Sequence, residues 1–129
     1  IWMGAGRTQN PVPPEKILKR IGIYADGFMP LFSVDSNTCK LDQSALNAIE
    51  FILQTASEVG RSPSEMQLEV SLYPDGKSAS QIHDEIHYLS SIGATYVHFR
   101  PNAPDLKEQL RALESLAQVR DSYSKHTGY

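Results

Sequence analysis

Short apolar runs alternate with longer amphipathic stretches four times along this chain, and that alternation limits the fold more than any other feature. Leu68, Val70 and Leu72 interleave with Glu69, Ser71 and Tyr73, the period-two pattern of a strand. Ala45, Leu46, Ile49, Ile52, Leu53 and Ala56 recur instead at helical spacing, behind the capping residue Asp42 and before Gly60 and Pro63. The same two signals repeat on either side. Residues 1–3 and 28–32 read as strands, and Pro14 opens a helix to about Ala25 with Ile17, Leu18, Ile21 and Ala25 inward. A third helix over 80–92 buries Ile82, Ile86 and Leu89, and 95–100 forms a fourth strand. A last helix over 105–123 carries Leu106, Leu110, Leu113, Leu116 and Ala117 on one face. The polar residues from Ser124 onward read as a frayed tail.

Strand–helix order of this kind implies parallel strands, right-handed crossovers and helices packed on the sheet. Three arrangements satisfy it: a small open α/β sheet, a four-unit half-barrel that pairs with itself, or half of a TIM (β/α)8 barrel, which takes about 250 residues in full. A parallel strand covered on both faces is apolar throughout. Here Glu69, Ser71, Tyr73, Tyr96, His98 and Arg100 share the face opposite Leu68, Val70, Leu72, Val97 and Phe99. A polar inner face favours a barrel lumen. The expectation is therefore a single (βα)4 half-barrel over 1–129, the C-terminal half of a TIM barrel. The chain opens inside a strand at Ile1 and Trp2, so it is expected to be a fragment of a longer polypeptide.

Composition narrows the function classes. With 129 residues, 40% hydrophobic, the chain can build one core. A net charge of −3 gives no basic face for nucleic acid. No apolar run approaches the roughly 18 residues of a membrane span. The single Cys39 has no partner for an internal disulfide, which fits a cytoplasmic protein. It also lies in a polar loop without a neighbouring histidine, so it is not read as a nucleophile. His83 and His87 stand four apart on one helical face, as metal ligands would. The motif is not His-Glu-x-x-His and lacks a third ligand, so that face is read as polar and solvated, with no metal.

In α/β folds of this kind, ligands meet the carboxyl ends of the strands. Gly4, Ala5, Gly6 and Arg7 follow the first strand and are the candidate cofactor-binding residues. Small residues let backbone N–H groups approach an oxyanion, and Arg7 has two readings, pairing with a phosphate or, as is usual for a lone loop arginine, solvation. The next helix would add about 0.3–1 kcal/mol from its dipole if it starts close enough, but Pro14 lies several residues further on. As a bare pattern Gly-x-Gly is also an ordinary tight turn. Tyr73, His98 and Arg100 sit near the ends of later strands. Each has two readings, a substrate or phosphate contact or a structural hydrogen bond. Trp2 and Phe28 are read as packing residues.

The order of local motifs resembles the luciferase-like monooxygenase family. Ile1-Trp2-Met3-Gly4-Ala5-Gly6 is followed by a helix and by Tyr24-Ala25-Asp26-Gly27-Phe28-Met29-Pro30, similar to that family's glycine-ended strand and Ala-Asp-Gly junction. Glu58-Val59-Gly60-Arg61-Ser62-Pro63 resembles its Gly-Arg-x-Pro junction, and residues 90–99 its final strand entry. The resemblance spans residues 1–123 and implies the C-terminal half of a (β/α)8 barrel. It also implies FMN or F420 as cofactor, a small organic substrate and oxidoreductase chemistry. The rival reading is a non-catalytic half-barrel that binds phosphorylated ligands; it is expected to be a homodimer, because a lone half-barrel leaves two sheet edges and an inner face uncovered. Gly4, Ala5 and Gly6 would hold the cofactor phosphate, and Asp26 would tie a helix end to the next strand. Residues 7–14 depart from the pattern by lengthening the usual turn with prolines. No catalytic residue carries over, because the resemblance places those contacts in the other half of the barrel.

Overall fold

The computed structural model describes residues 1–127, with side chains described through residue 123. Four parallel strands form one sheet: β1 (Trp2–Ala5), β2 (Gly27–Pro30), β3 (Gln67–Leu72) and β4 (Tyr96–Phe99). Four helices follow them: α1 (Glu15–Tyr24), α2 (Gln43–Glu58), α3 (Ala79–Ser91) and α4 (Leu106–Thr127). The mixed α/β expectation holds in this form, as four βα units in chain order.

Strand order in the sheet is also chain order. Right-handed crossovers between successive neighbours carry the connecting helices to one face. There is accordingly no reversal of strand order, where a doubly wound sheet would place its ligand crevice. The helix-side core gathers Leu18 and Ile21 of α1, Ile49 and Ile52 of α2, and Leu89 of α3 onto Phe28, Leu68, Val70 and Leu72 of the sheet. Trp2, Gly4, Met29, Tyr96 and His98 remain exposed.

Two contacts lock α1 to α2. Gly22 lies so close to α2 that a Cβ there would stand 2.8 Å from the Ile52 carbonyl oxygen and from Thr55 Cβ. Arg61, just beyond α2, donates from Nη1 to the Gly22 carbonyl (2.8 Å) and from Nη2 to the Ala25 carbonyl (2.6 Å). These are carbonyls at the C-terminal end of α1, which lack partners within the helix. Asp26 follows directly: its N–H donates to Ile1 and its carbonyl accepts from Gln67. That residue extends the sheet on both sides of β2 and lies 3.8 Å from Arg61 Nη2.

Three sequence expectations need correction. The second strand ends at Pro30 rather than at Phe32. Ser33 pairs with Ser71 where continued register would set Leu31, so the chain takes up extra residues after Pro30, which has no N–H for the ladder. The α4 stripe is only half buried: Leu106, Leu110 and Leu113 are 70%, 50% and 50% exposed. This helix docks through its later turns, where Leu116 and Val119 meet Ile82. Nor does α4 fray at Ser124; it continues to Thr127, since no glycine or proline intervenes before Gly128.

Candidate functional site

β1 ends at Ala5, and Gly6 turns the chain with φ +112°. A side chain at Gly6 would place its Cβ 2.4 Å from the Pro11 carbonyl oxygen, so glycine is needed for both conformation and space. Gly4 has no such demand; its nearest contact would be an ordinary 3.6 Å to the Met29 carbonyl. Arg7 and Asn10 exchange both backbone hydrogen bonds, at 3.0 and 2.9 Å, closing a tight two-residue turn. The lengthened segment 7–14 thereby folds back on itself. Pro14, the residue capping α1, borders the same hollow of 650 Å³ as Gly4, Ala5, Gly6 and Arg7.

The electrostatics of this hollow are mixed. The Arg7 guanidinium is exposed and makes no hydrogen bond or ion pair among the described residues. Its own backbone N–H is committed to Asn10, so that donor is withdrawn from any ligand. Glu15 occupies the first turn of α1 and opposes an anion at the helix start.

The exposed sheet face is layered along the strand direction. Near the amino ends, the indole of Trp2 lies over Gly27 and meets Tyr96 edge to face, with centroids 5.5 Å apart. Phe28, by contrast, is buried and packs on Phe32, as a core residue does. In the middle, His98 Nδ1 lies 3.3 Å from Glu69 Oε1, on adjacent strands. A carboxylate accepting from Nδ1–H leaves Nε2 as a free acceptor. Towards the carboxyl ends stand Tyr73 and Arg100. The Arg100 N–H continues the ladder to the Leu72 carbonyl, and neither side chain takes a hydrogen bond among the described residues. Arg7, Tyr73 and Arg100 therefore follow the carboxyl ends of β1, β3 and β4, and His98 stands within β4, but among the described residues no hydrogen bond joins the four side chains to one another.

Sequence reading missed a charged cluster beside this end of the sheet. Lys77 Nζ lies 2.9 Å from Glu85 Oε2, and both side chains are buried, at 8% and 1% exposed. Asp75 Oδ2 accepts from the Asn102 N–H at 2.7 Å, while its Oδ1 is buried with no hydrogen-bond partner among the described residues. A local signal existed. Ser78 and Gln81 form a reciprocal capping box that fixes the start of α3 between Lys77 and Glu85.

The His83 and His87 face is solvated only in part: His87 and Asp84 are exposed, as expected, whereas His83 is half-buried against α4. His83 stacks on Tyr123 of α4 with centroids 4.8 Å apart, and its Nε2 lies 3.0 Å from Ser122 Oγ. Burial, with Asp84 nearby, raises the Tyr123 hydroxyl above its ordinary pKa. Among the described residues, no group of three His, Cys, Asp or Glu side chains stands close enough to hold a metal ion. No described helix is long and apolar enough to cross a membrane.

Compared with known protein families, with curated proteins and with solved structures, the chain matches none.

Proposed function

We propose that this chain forms part of a (β/α) barrel wall and binds the phosphate-bearing end of FMN or F420, in an oxidoreductase of the luciferase-like class. The observation that carries the reading is the hollow at the end of β1, where the glycine turn, an unpaired Arg7 and the start of α1 come together. Small residues and a free guanidinium suit a phosphate, and Arg fits its oxygens in a fork. Glu15 limits the contribution of the helix end, so Arg7 carries most of the charge attraction. When bound, the cofactor supplies the redox chemistry. The chain supplies anchoring, and on the open face Glu69 orients His98 so that Nε2 faces a substrate as a proton acceptor. Equilibrium dialysis of each cofactor against wild type and Arg7→Glu tests the reading. Retention that ignores this charge reversal sinks it.

A second reading rests on a separate observation. Among the described residues β1 and β4 are the outer strands of the sheet, and Leu106, Leu110 and Leu113 of α4 stand exposed. Uncovered edges and an apolar helix stripe fit a half-barrel completed by a second copy, binding phosphorylated ligands without turnover. Sedimentation of the chain at micromolar concentration decides this: a monomer that stays monomeric removes the second copy.

A further inference from the structure

We infer that the cleft between α2 and α3 is a binding site for a small uncharged apolar molecule, of the bulk of a benzene ring or a short branched alkyl group. Helices pair closely as α1 with α2 and α3 with α4, and the seam between α2 and α3 is the looser one. One end of that seam is closed where the Leu41 N–H donates to the Tyr88 hydroxyl at 3.1 Å. At the other end, by the amino ends of the strands, a cavity of 220 Å³ remains. Phe28 and Leu68 of the sheet line it, with Ile52, Leu53, Met66 and Ile92. Phe28, Ile52, Leu68 and Met66 are themselves buried, so the cavity reaches the core rather than resting on the surface.

The chemistry of the lining selects the ligand. Among the described residues, no ionisable side chain borders the cavity. Its two hydroxyls are already committed: Thr95 Oγ1 accepts from the Leu68 N–H and donates to the Leu68 carbonyl, and Ser64 Oγ bonds Ser62 Oγ. Gln67 alone offers a side-chain amide. A water molecule needs two to four polar partners, and apolar cavities of about 150 Å³ stay dry and take benzene. This cavity is larger, and among its described lining side chains the Gln67 amide is the polar group left for a partner. An adjoining outer hollow shares Ile49, Leu53, Pro63 and Ile92 with it, which gives a route from solvent. The site lies at the opposite end of the strands from the glycine turn and is independent of any cofactor there.

Benzene titrated into the full chain, followed by methyl NMR, tests the assignment. Saturable shifts should appear at Ile52, Leu53, Met66 and Ile92 and leave distant methyls such as Leu116 unmoved. Leu53→Phe fills the space, and should weaken binding at least about tenfold while holding or raising the melting temperature. If that variant does not fold, Ile92→Phe serves the same purpose. Shifts that never saturate, or that saturate equally in a folded filling variant, overturn the proposal.

Discussion

The indole of Trp2 on β1 and the ring of Tyr96 on β4 meet edge to face at 5.5 Å, although β2 and β3 lie between their strands. Adjacent strands stand about 4.8 Å apart, so these two backbones are separated by roughly 14 Å in a flat sheet. The rings bridge that span only by lying inward over the open face. Gly27 permits it, since a Cβ there would fall 2.5 Å from the indole.

Gly27→Ala should therefore lift Trp2 off the sheet. The expected cost is about 1–3 kcal/mol, as for overpacking elsewhere. Trp2 is the sole tryptophan, so its emission reports the change directly. A red-shifted emission and a lower urea midpoint are expected; an unchanged spectrum contradicts the placement of the ring.

Arg61 is expected to be a stability residue. Removing it strands two carbonyls at the end of α1, and hydrogen bonds to a charged donor are worth about 1.5–3 kcal/mol. Arg61→Ala should lower the unfolding free energy by about that amount. Arg61→Lys should recover little of it, because an ammonium cannot reproduce the two-pronged geometry. Urea denaturation of both variants checks this.

The buried Lys77–Glu85 pair makes a non-additive prediction. Lys77→Met leaves the Glu85 carboxylate buried without its partner, at an expected cost of about 3–5 kcal/mol. Lys77→Met combined with Glu85→Leu should cost less than the single change. Equal or greater loss in the double variant would show that the pair is not coupled.

Acid should weaken the start of α2. The Ser44 hydroxyl and the Ala45 N–H hold the Asp42 carboxyl below its ordinary pKa of 3.8. Because the folded value is depressed, this contribution is present above the unfolded value and is lost as pH falls through the folded one. Asp42→Ala should cost about 1 kcal/mol at pH 7. That difference should shrink as the pH is lowered below about 4, the ordinary aspartate range, in paired denaturation curves.

The strand and helix periods were legible because each element buries one face: Val70 and Leu72 against the helices, Ile49 and Ile52 against the sheet. Two features were not. Leu106, Leu110 and Leu113 have a faultless helical stripe, yet a stripe does not say whether a neighbour exists to cover it. The role of Arg61 depends on carbonyls 39 and 36 positions away, and that of the Lys77–Glu85 pair, 8 positions apart, on burial, which no local pattern encodes. Within the candidate site, glycine at position 6 was legible as a turn. That the turn folds back so that Pro14 and Gly4 line one hollow was not, because it rests on Arg7 pairing with Asn10 and on the close approach of Gly6 to Pro11.

The most direct test of the proposed cofactor site is a titration of FMN and of F420, separately, into the chain while recording Trp2 emission. The prediction is saturable quenching by one of them, competed by inorganic phosphate and weakened about tenfold or more in Arg7→Ala. Emission that stays unchanged with both cofactors, in protein shown by circular dichroism to be folded, would contradict it.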